Sequence, residues 1–169
     1  SEEEQMRHIR DADAFVGRVS TKVFLLADKL RWIHNPGTGI DWVPSVPELI
    51  NSDVVLTNAL GAHTEPMADH VFAMILTFAH RMYELREDQK AHRWNTSKYN
   101  GGMIDLNGQT IGILSMGGIG MAVARRASGF GMKVYGVDIK PVAPPPEVKE
   151  IWDIEHLDEL IRISDWFIV

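Results

Sequence analysis

The 169-residue chain is 45% hydrophobic and 24% charged, which excludes wholesale disorder or a collagen-like repeat and admits one ordinary domain or two small ones. Seventeen Lys and Arg against twenty-three Asp and Glu leave a formal charge of -6, which opposes attraction to phosphate backbones, so no nucleic-acid partner is expected. Charge or glycine breaks every apolar run before the roughly 20 residues of a membrane span, and the absence of cysteine removes disulfides, thiolate nucleophiles and Cys-ligated zinc. A soluble cytoplasmic protein with no membrane contact and no metal is the expectation.

The first sixty residues alternate amphipathic stretches with short apolar runs: Met6 and Ile9, Ala14 to Val16, Phe24 to Leu26, Trp32 and Ile33, Val54 to Leu56. That rhythm reads as a compact βα pattern. Within it, Asn35-Pro36-Gly37-Thr38-Gly39-Ile40-Asp41 forms a glycine-bearing loop directly after a strand, where α/β proteins place ligand loops. From Thr64 to about Lys90 the period becomes 3.6, with Met67, Val71, Met74, Ile75, Phe78, Met82 and Leu85 on one face. Thr64 suits an N-cap, Pro66 suits the first turn, and basic residues gather at the far end. A single helix of ~27 residues, about 40 Å long, is predicted, enough to bridge two domains.

After the polar segment 95–107, Thr110 to Leu114 reads as a buried parallel strand, Met121 to Phe130 as a helix and Lys133 to Asp138 as a second strand. The Pro-rich stretch Pro141 to Pro146 is an extended loop, Leu157, Leu160 and Ile161 mark another helix, and Trp166 to Val169 begins a third strand. Strand, helix, strand, helix, strand is one mononucleotide-binding half of a doubly wound parallel sheet.

Between the first strand and its helix lies Ser115-Met116-Gly117-Gly118-Ile119-Gly120, where a dinucleotide fingerprint belongs. Gly117 and Gly120 occupy the second and third glycine positions of GxGxxG, and Ser115 occupies the first. Gly117 would let the backbone approach a pyrophosphate, Gly120 would let the helix pack close to the strand, and free N–H groups around Gly118 and Ile119 would hold the phosphates. Asp138 follows Gly117 by 21 positions, close to the spacing at which a carboxylate accepts hydrogen bonds from ribose hydroxyls. Met116 to Gly120 and Asp138 are therefore the candidate cofactor-binding residues.

Three blocks, Pro36 to Asp41, Thr57-Asn58 through Met67-Ala68-Asp69-His70, and Gly108 to Asp138, resemble the NAD-dependent D-2-hydroxyacid dehydrogenases in order and spacing. The resemblance implies an α/β fold: a Rossmann half joined by a long helix to part of a flavodoxin-like substrate domain. Residues 1–63 would be the partial substrate domain, 64–94 the interdomain helix, and 95–169 the first half of the NAD-binding domain. It further implies NAD as cofactor, a small 2-hydroxy or 2-oxo acid as substrate, and a homodimer. The backbone of Thr38, Gly39 and Ile40 would hold the substrate carboxylate, and Met67 would lie near the nicotinamide. Asp69 stands where the family more often has Glu.

Family members extend past Val169 through segments bearing a catalytic Arg, Glu and His. The chain is accordingly expected to be an internal portion without competence of its own, and His34, His63 and His70 are not assigned as catalytic. The same fold could instead serve a non-enzymatic NAD(H)-sensing regulator. Binding without turnover would distinguish that alternative.

Overall fold

Short β-prone runs separated by roughly twenty residues leave room for one crossover each, and that spacing dictates parallel pairing. In the computed structural model, which describes residues 1–169, the chain divides into two compact units, Ser1–Ala62 and His63–Val169. The first begins with α1 (Glu2–His8), started by a reciprocal capping box between Ser1 and Glu4, and runs through β1 (Ala14–Val16), α2 (Thr21–Phe24), β2 (Trp32–Asn35), α3 (Pro47–Ile50) and β3 (Val55–Asn58). Its strands form a parallel sheet in the order β1-β2-β3, with Phe15, Ile33 and Leu56 in register. These pack on a core of Ile9, Val23, Val46 and Leu49, while Val16, Trp32 and Val55 on the other face are exposed.

The second unit contains α4 (Thr64–Ala79), α5 (Met82–Lys90), β4 (Thr110–Leu114), α6 (Gly118–Gly129), β5 (Lys133–Val137), β6 (Glu150–Trp152), α7 (Leu157–Ile163) and β7 (Trp166–Ile168). All four strands are parallel, in the order β6-β5-β4-β7. The third strand of the mononucleotide half is therefore β6, which hydropathy did not reveal because Glu150-Ile151-Trp152 carries a single aliphatic residue. Trp166 to Ile168, predicted as that third strand, instead pairs on the opposite side of β4. Strand order thus reverses at β4, the position where open α/β sheets form a crevice.

The single helix predicted within 64–94 is broken. Arg81 adopts a left-handed conformation (φ 51°), and α5 starts afresh after it. Neither Gly nor Pro marks the site; tertiary contacts hold the turn. The Arg81 guanidinium makes a two-point pair with Glu84 (2.7 Å each) and lies 5.3 Å from the Tyr99 ring centroid, while the Ile104 N–H donates to the Ala79 carbonyl. These contacts offset a left-handed residue cost of roughly 1–2 kcal/mol.

The predicted face of this region is also rotated. Ala68, Phe72, Ile75 and Ala79 form the buried stripe, and Met67, Met74, Phe78 and Met82 are exposed. Two of the four inward residues are alanines, which lets α4 pack closely on α6, where Ala122, Val123 and Ala127 are fully buried and the Phe72 and Phe130 rings stack at 5.0 Å. His63, rather than Thr64, is the N-cap of α4. Arg126 of α6 pairs with Glu65 (2.8 Å) and Asp69 (2.7 Å) on the first turns of α4.

Candidate functional site

The β4–α6 turn is built so that a helix can begin immediately beneath an open backbone. After Leu114, Ser115 takes a left-handed conformation (φ 77°), the geometry that glycine supplies at the first position of the fingerprint. Gly117 is the N-cap of α6 and makes no side-chain cap, so the helix starts at Gly118, one turn before the predicted Met121. A Cβ at Gly120 would collide with the Ser115 carbonyl oxygen and press on Ile113, so only glycine lets α6 approach β4 this closely. A Cβ at Gly117 would meet nothing nearer than Ser115 Oγ at 3.9 Å, leaving the approach open. The first N–H groups of a helix have no intrahelical acceptor, and Gly117, Gly118 and Ile119 present theirs on an exposed turn.

Met116 differs from the rest of the predicted set. Its side chain is buried against Gly136, and its N–H donates to Asp138 Oδ2 at 2.7 Å. That amide is already engaged, so Met116 anchors the loop and the exposed backbone N–H groups are those of Gly117 to Ile119. Asp138 Oδ1 also accepts from the Lys140 N–H at 2.9 Å. The Lys140 and Met116 amides hold the Asp138 carboxyl below its ordinary range, so it stays ionised. A cavity of about 550 Å³ opens beside it, lined by Ile139, Lys140, Val142, Ile151 and Trp152. Open cradle, uncapped N–H groups and an ionised acceptor at the end of the second strand fit the diphosphate and ribose of NAD.

In the first unit, the loop after β2 is turned by two asparagines. Buried Asn35 donates through Nδ2 to the carbonyls of Gly37 (2.7 Å) and Gly39 (2.8 Å), and Asn58 Nδ2 donates to that of Thr38 (2.8 Å). These bonds fix three successive carbonyls, and the N–H groups of the exposed Thr38, Gly39 and Ile40 donate to no acceptor within the chain. The Asp41 carboxylate lies beside Gly39, 3.0 Å from where a Cβ would stand, and sets an opposing charge at that edge of the loop.

Residues 72–169 match the family model of the D-isomer specific 2-hydroxyacid dehydrogenase NAD-binding domain. The chain belongs to this family. It is 31% identical to a D-3-phosphoglycerate dehydrogenase of Methanocaldococcus jannaschii over 95% of its length and 30% of the relative's. It is 33% identical to a glyoxylate reductase of Thermococcus kodakarensis, over 97% of the chain and 51% of the relative. The structure of a D-lactate dehydrogenase from Aquifex aeolicus, complexed with NAD and lactic acid, superposes with a TM-score of 0.76 at 25% identity, covering 96% of this chain and 49% of that one. The chain spans about half, or less, of the length of these relatives.

Among the remaining residues of this dehydrogenase-family chain, Met67 lies one turn into α4 and is exposed. His34 Nδ1 lies 3.0 Å from Thr57 Oγ1 on the open sheet face, and His63 and His70 are exposed on the first turns of α4. No group of three or more His, Cys, Asp or Glu is placed to hold a metal, and no helix is long and apolar enough to cross a membrane. A larger cavity, about 830 Å³, runs along α5 between Tyr83, Arg86, Trp94 and Met103 and shares no residue with the phosphate loop. At its wall Asp88 is buried, bonded to the Tyr99 hydroxyl, Arg93 (2.7 Å) and Lys98 (3.3 Å). Sequence reading missed Asn35 and Asn58, whose only signal is an amide side chain at each of two strand ends flanking a glycine loop.

Proposed function

We propose that this chain supplies the NAD-binding and carboxylate-binding parts of a D-2-hydroxyacid dehydrogenase that interconverts a small 2-hydroxy acid and its 2-oxo acid. The observation that carries this reading is the β4–α6 turn: open at Gly117, closed at Gly120, and tied through Met116 to Asp138. NAD supplies the hydride acceptor or donor when bound. The N–H groups of Gly117, Gly118 and Ile119 hold its diphosphate, and Asp138 accepts the adenosine ribose hydroxyls. Met67 packs at the nicotinamide end. The N–H groups of Thr38, Gly39 and Ile40 hold the acid's carboxylate, oriented by Asn35 and Asn58. Residues 1–63 serve as part of the substrate domain and residues 95–169 as the start of the cofactor domain. No residue of the chain is assigned the proton transfer at the C2 oxygen that hydride transfer requires.

Glyoxylate and lactic acid, which belong to the names of two relatives, support a small substrate. A homodimer accords with the exposed apolar groups Met74, Phe78, Met82 and Tyr83 on α4 and α5, and a cytoplasmic location accords with dependence on NAD(H). The named relatives are dehydrogenases and reductases, and no observation favours the regulatory alternative. The test is NADH oxidation by the complete protein with glyoxylate, pyruvate and hydroxypyruvate. Turnover of at least one is expected; tight NADH binding with no turnover of any would overturn the enzymatic reading.

A further inference from the structure

Two hydroxyl groups border the β4–α6 turn and take no part in the core packing. The first is Ser115. A non-glycine residue in the left-handed region is disfavoured, and here it occupies a position where glycine would sit without strain. Residues held in such conformations cluster at functional sites. Ser115 is exposed, and its Oγ lies 3.9 Å from where a Gly117 Cβ would stand. That position is the open approach to the α6 N-terminus. The hydroxyl therefore lies at the edge of the open space over Gly117.

The second is Thr64, in the first turn of α4. A Cβ built on Gly118 would meet Thr64 Oγ1 at 3.3 Å, so this hydroxyl borders the same turn from the neighbouring helix. Its location is held by the Arg126 pairs to Glu65 and Asp69, which pin the start of α4 to α6. Neither hydroxyl caps its helix: the N-caps of α4 and α6 are His63 and Gly117, and neither makes a side-chain cap bond. A hydroxyl free of intramolecular obligations can rotate to donate to an anionic oxygen.

We propose that Ser115 and Thr64 are cofactor-positioning residues, whose hydroxyls donate to the diphosphate of NAD beside the Gly117–Ile119 N–H groups. The proposal rests on the cofactor reading of this loop. It explains why a serine stands at the first position of the fingerprint: the backbone retains the left-handed turn, and the side chain adds a donor that glycine lacks. The diphosphate is then held by three backbone and two side-chain donors.

The decisive comparison is Ser115→Gly against the parent, both as the complete protein, by NADH fluorescence titration and thermal melting. Glycine relieves the left-handed strain, so the variant melts at a higher temperature. Loss of a hydrogen bond to a charged group weakens NADH binding about tenfold. Ser115→Ala, which keeps the strain and loses the hydroxyl, loses affinity similarly and does not gain stability. Thr64→Val weakens binding and Thr64→Ser restores it, with unchanged melting in both. Ser115→Gly or Thr64→Val binding NADH as tightly as the parent would overturn the assignment of that hydroxyl. Failure of the parent itself to bind NADH would overturn the cofactor reading and the proposal together.

Discussion

The Met116 N–H donates to Asp138 Oδ2 at 2.7 Å, so the β4–α6 turn and the acid at the end of β5 form one connected unit. The acid fixes the turn after β4 and also accepts the Lys140 N–H; in the proposed site it would in addition accept the ribose hydroxyls. Moving either residue therefore moves both halves of the nucleotide site.

Asp138 should make the protein prefer NAD. An ionised carboxylate accepts ribose hydroxyls and repels a 2′-phosphate, although the Lys140 side chain offers a nearby cation. Replacement by Ser should narrow the preference by tightening NADPH while weakening NADH, as measured by paired titrations. Because backbone donors hold this carboxyl below its ordinary pKa, NADH affinity should show no titration attributable to Asp138 between pH 5 and pH 8. Parent affinity for NADPH equal to that for NADH would contradict its role.

Gly117 and Gly120 should fail in different ways. Gly117 has an ordinary φ of -75° and open space beyond it, so Gly117→Val should fold normally and lose NADH affinity by tenfold or more. Gly120→Ala drives a methyl into a backbone carbonyl that has no room to move, which should cost about 1–3 kcal/mol of stability. Melting curves and NADH titrations of both variants separate the two effects.

Asp88 should control acid stability. Hydrogen bonds from Tyr99, then Arg93 and Lys98, outweigh its burial and lower its pKa to about 2. A carboxylate whose folded pKa is depressed stabilises the native state above its unfolded pKa near 3.8 and loses that contribution as pH falls toward 2. Asp88→Asn should melt lower than the parent at pH 7, and the gap should close below pH 4. An equal gap at pH 3 and pH 7 would contradict this linkage.

The Arg126 clamp is solvent-facing on its acidic side, with Glu65 and Asp69 side chains 58% and 70% exposed. Exposed pairs contribute little and are screened by salt. Arg126→Gln should lower the melting temperature slightly in low salt, and the difference should vanish near 1 M NaCl. A large, salt-independent loss would mean that the clamp acts through packing of the Arg126 stem instead.

Much of the cofactor half was legible in the sequence because its constraints are local. A buried run at Thr110 to Leu114, two glycines and an acid at fixed spacing must make strand, tight turn, helix and second strand, since each step depends on neighbours a few residues away. The same logic marked Asn35 to Asp41 as a candidate ligand loop but could not see the bonds of Asn35 and Asn58, because the fate of an amide side chain depends on which carbonyls the fold brings to it.

Hydropathy also determined that 64–90 is helical, and tertiary structure decided the rest. The break at Arg81 carries no glycine or proline; a pair with Glu84 three residues on and the Tyr99 ring 18 residues away in sequence stabilise it. Ala68 and Ala79 share the inward stripe with Phe72 and Ile75 while the methionines face out, because close approach to α6 outweighs the larger transfer free energy of methionine. Strand order is likewise a property of the assembled sheet. Whether Trp166 to Ile168 sits beyond β6 or beside β4 depends on the hand and path of the crossovers, and only the folded chain, with Ile111 opposite Trp166, places the reversal at the phosphate loop.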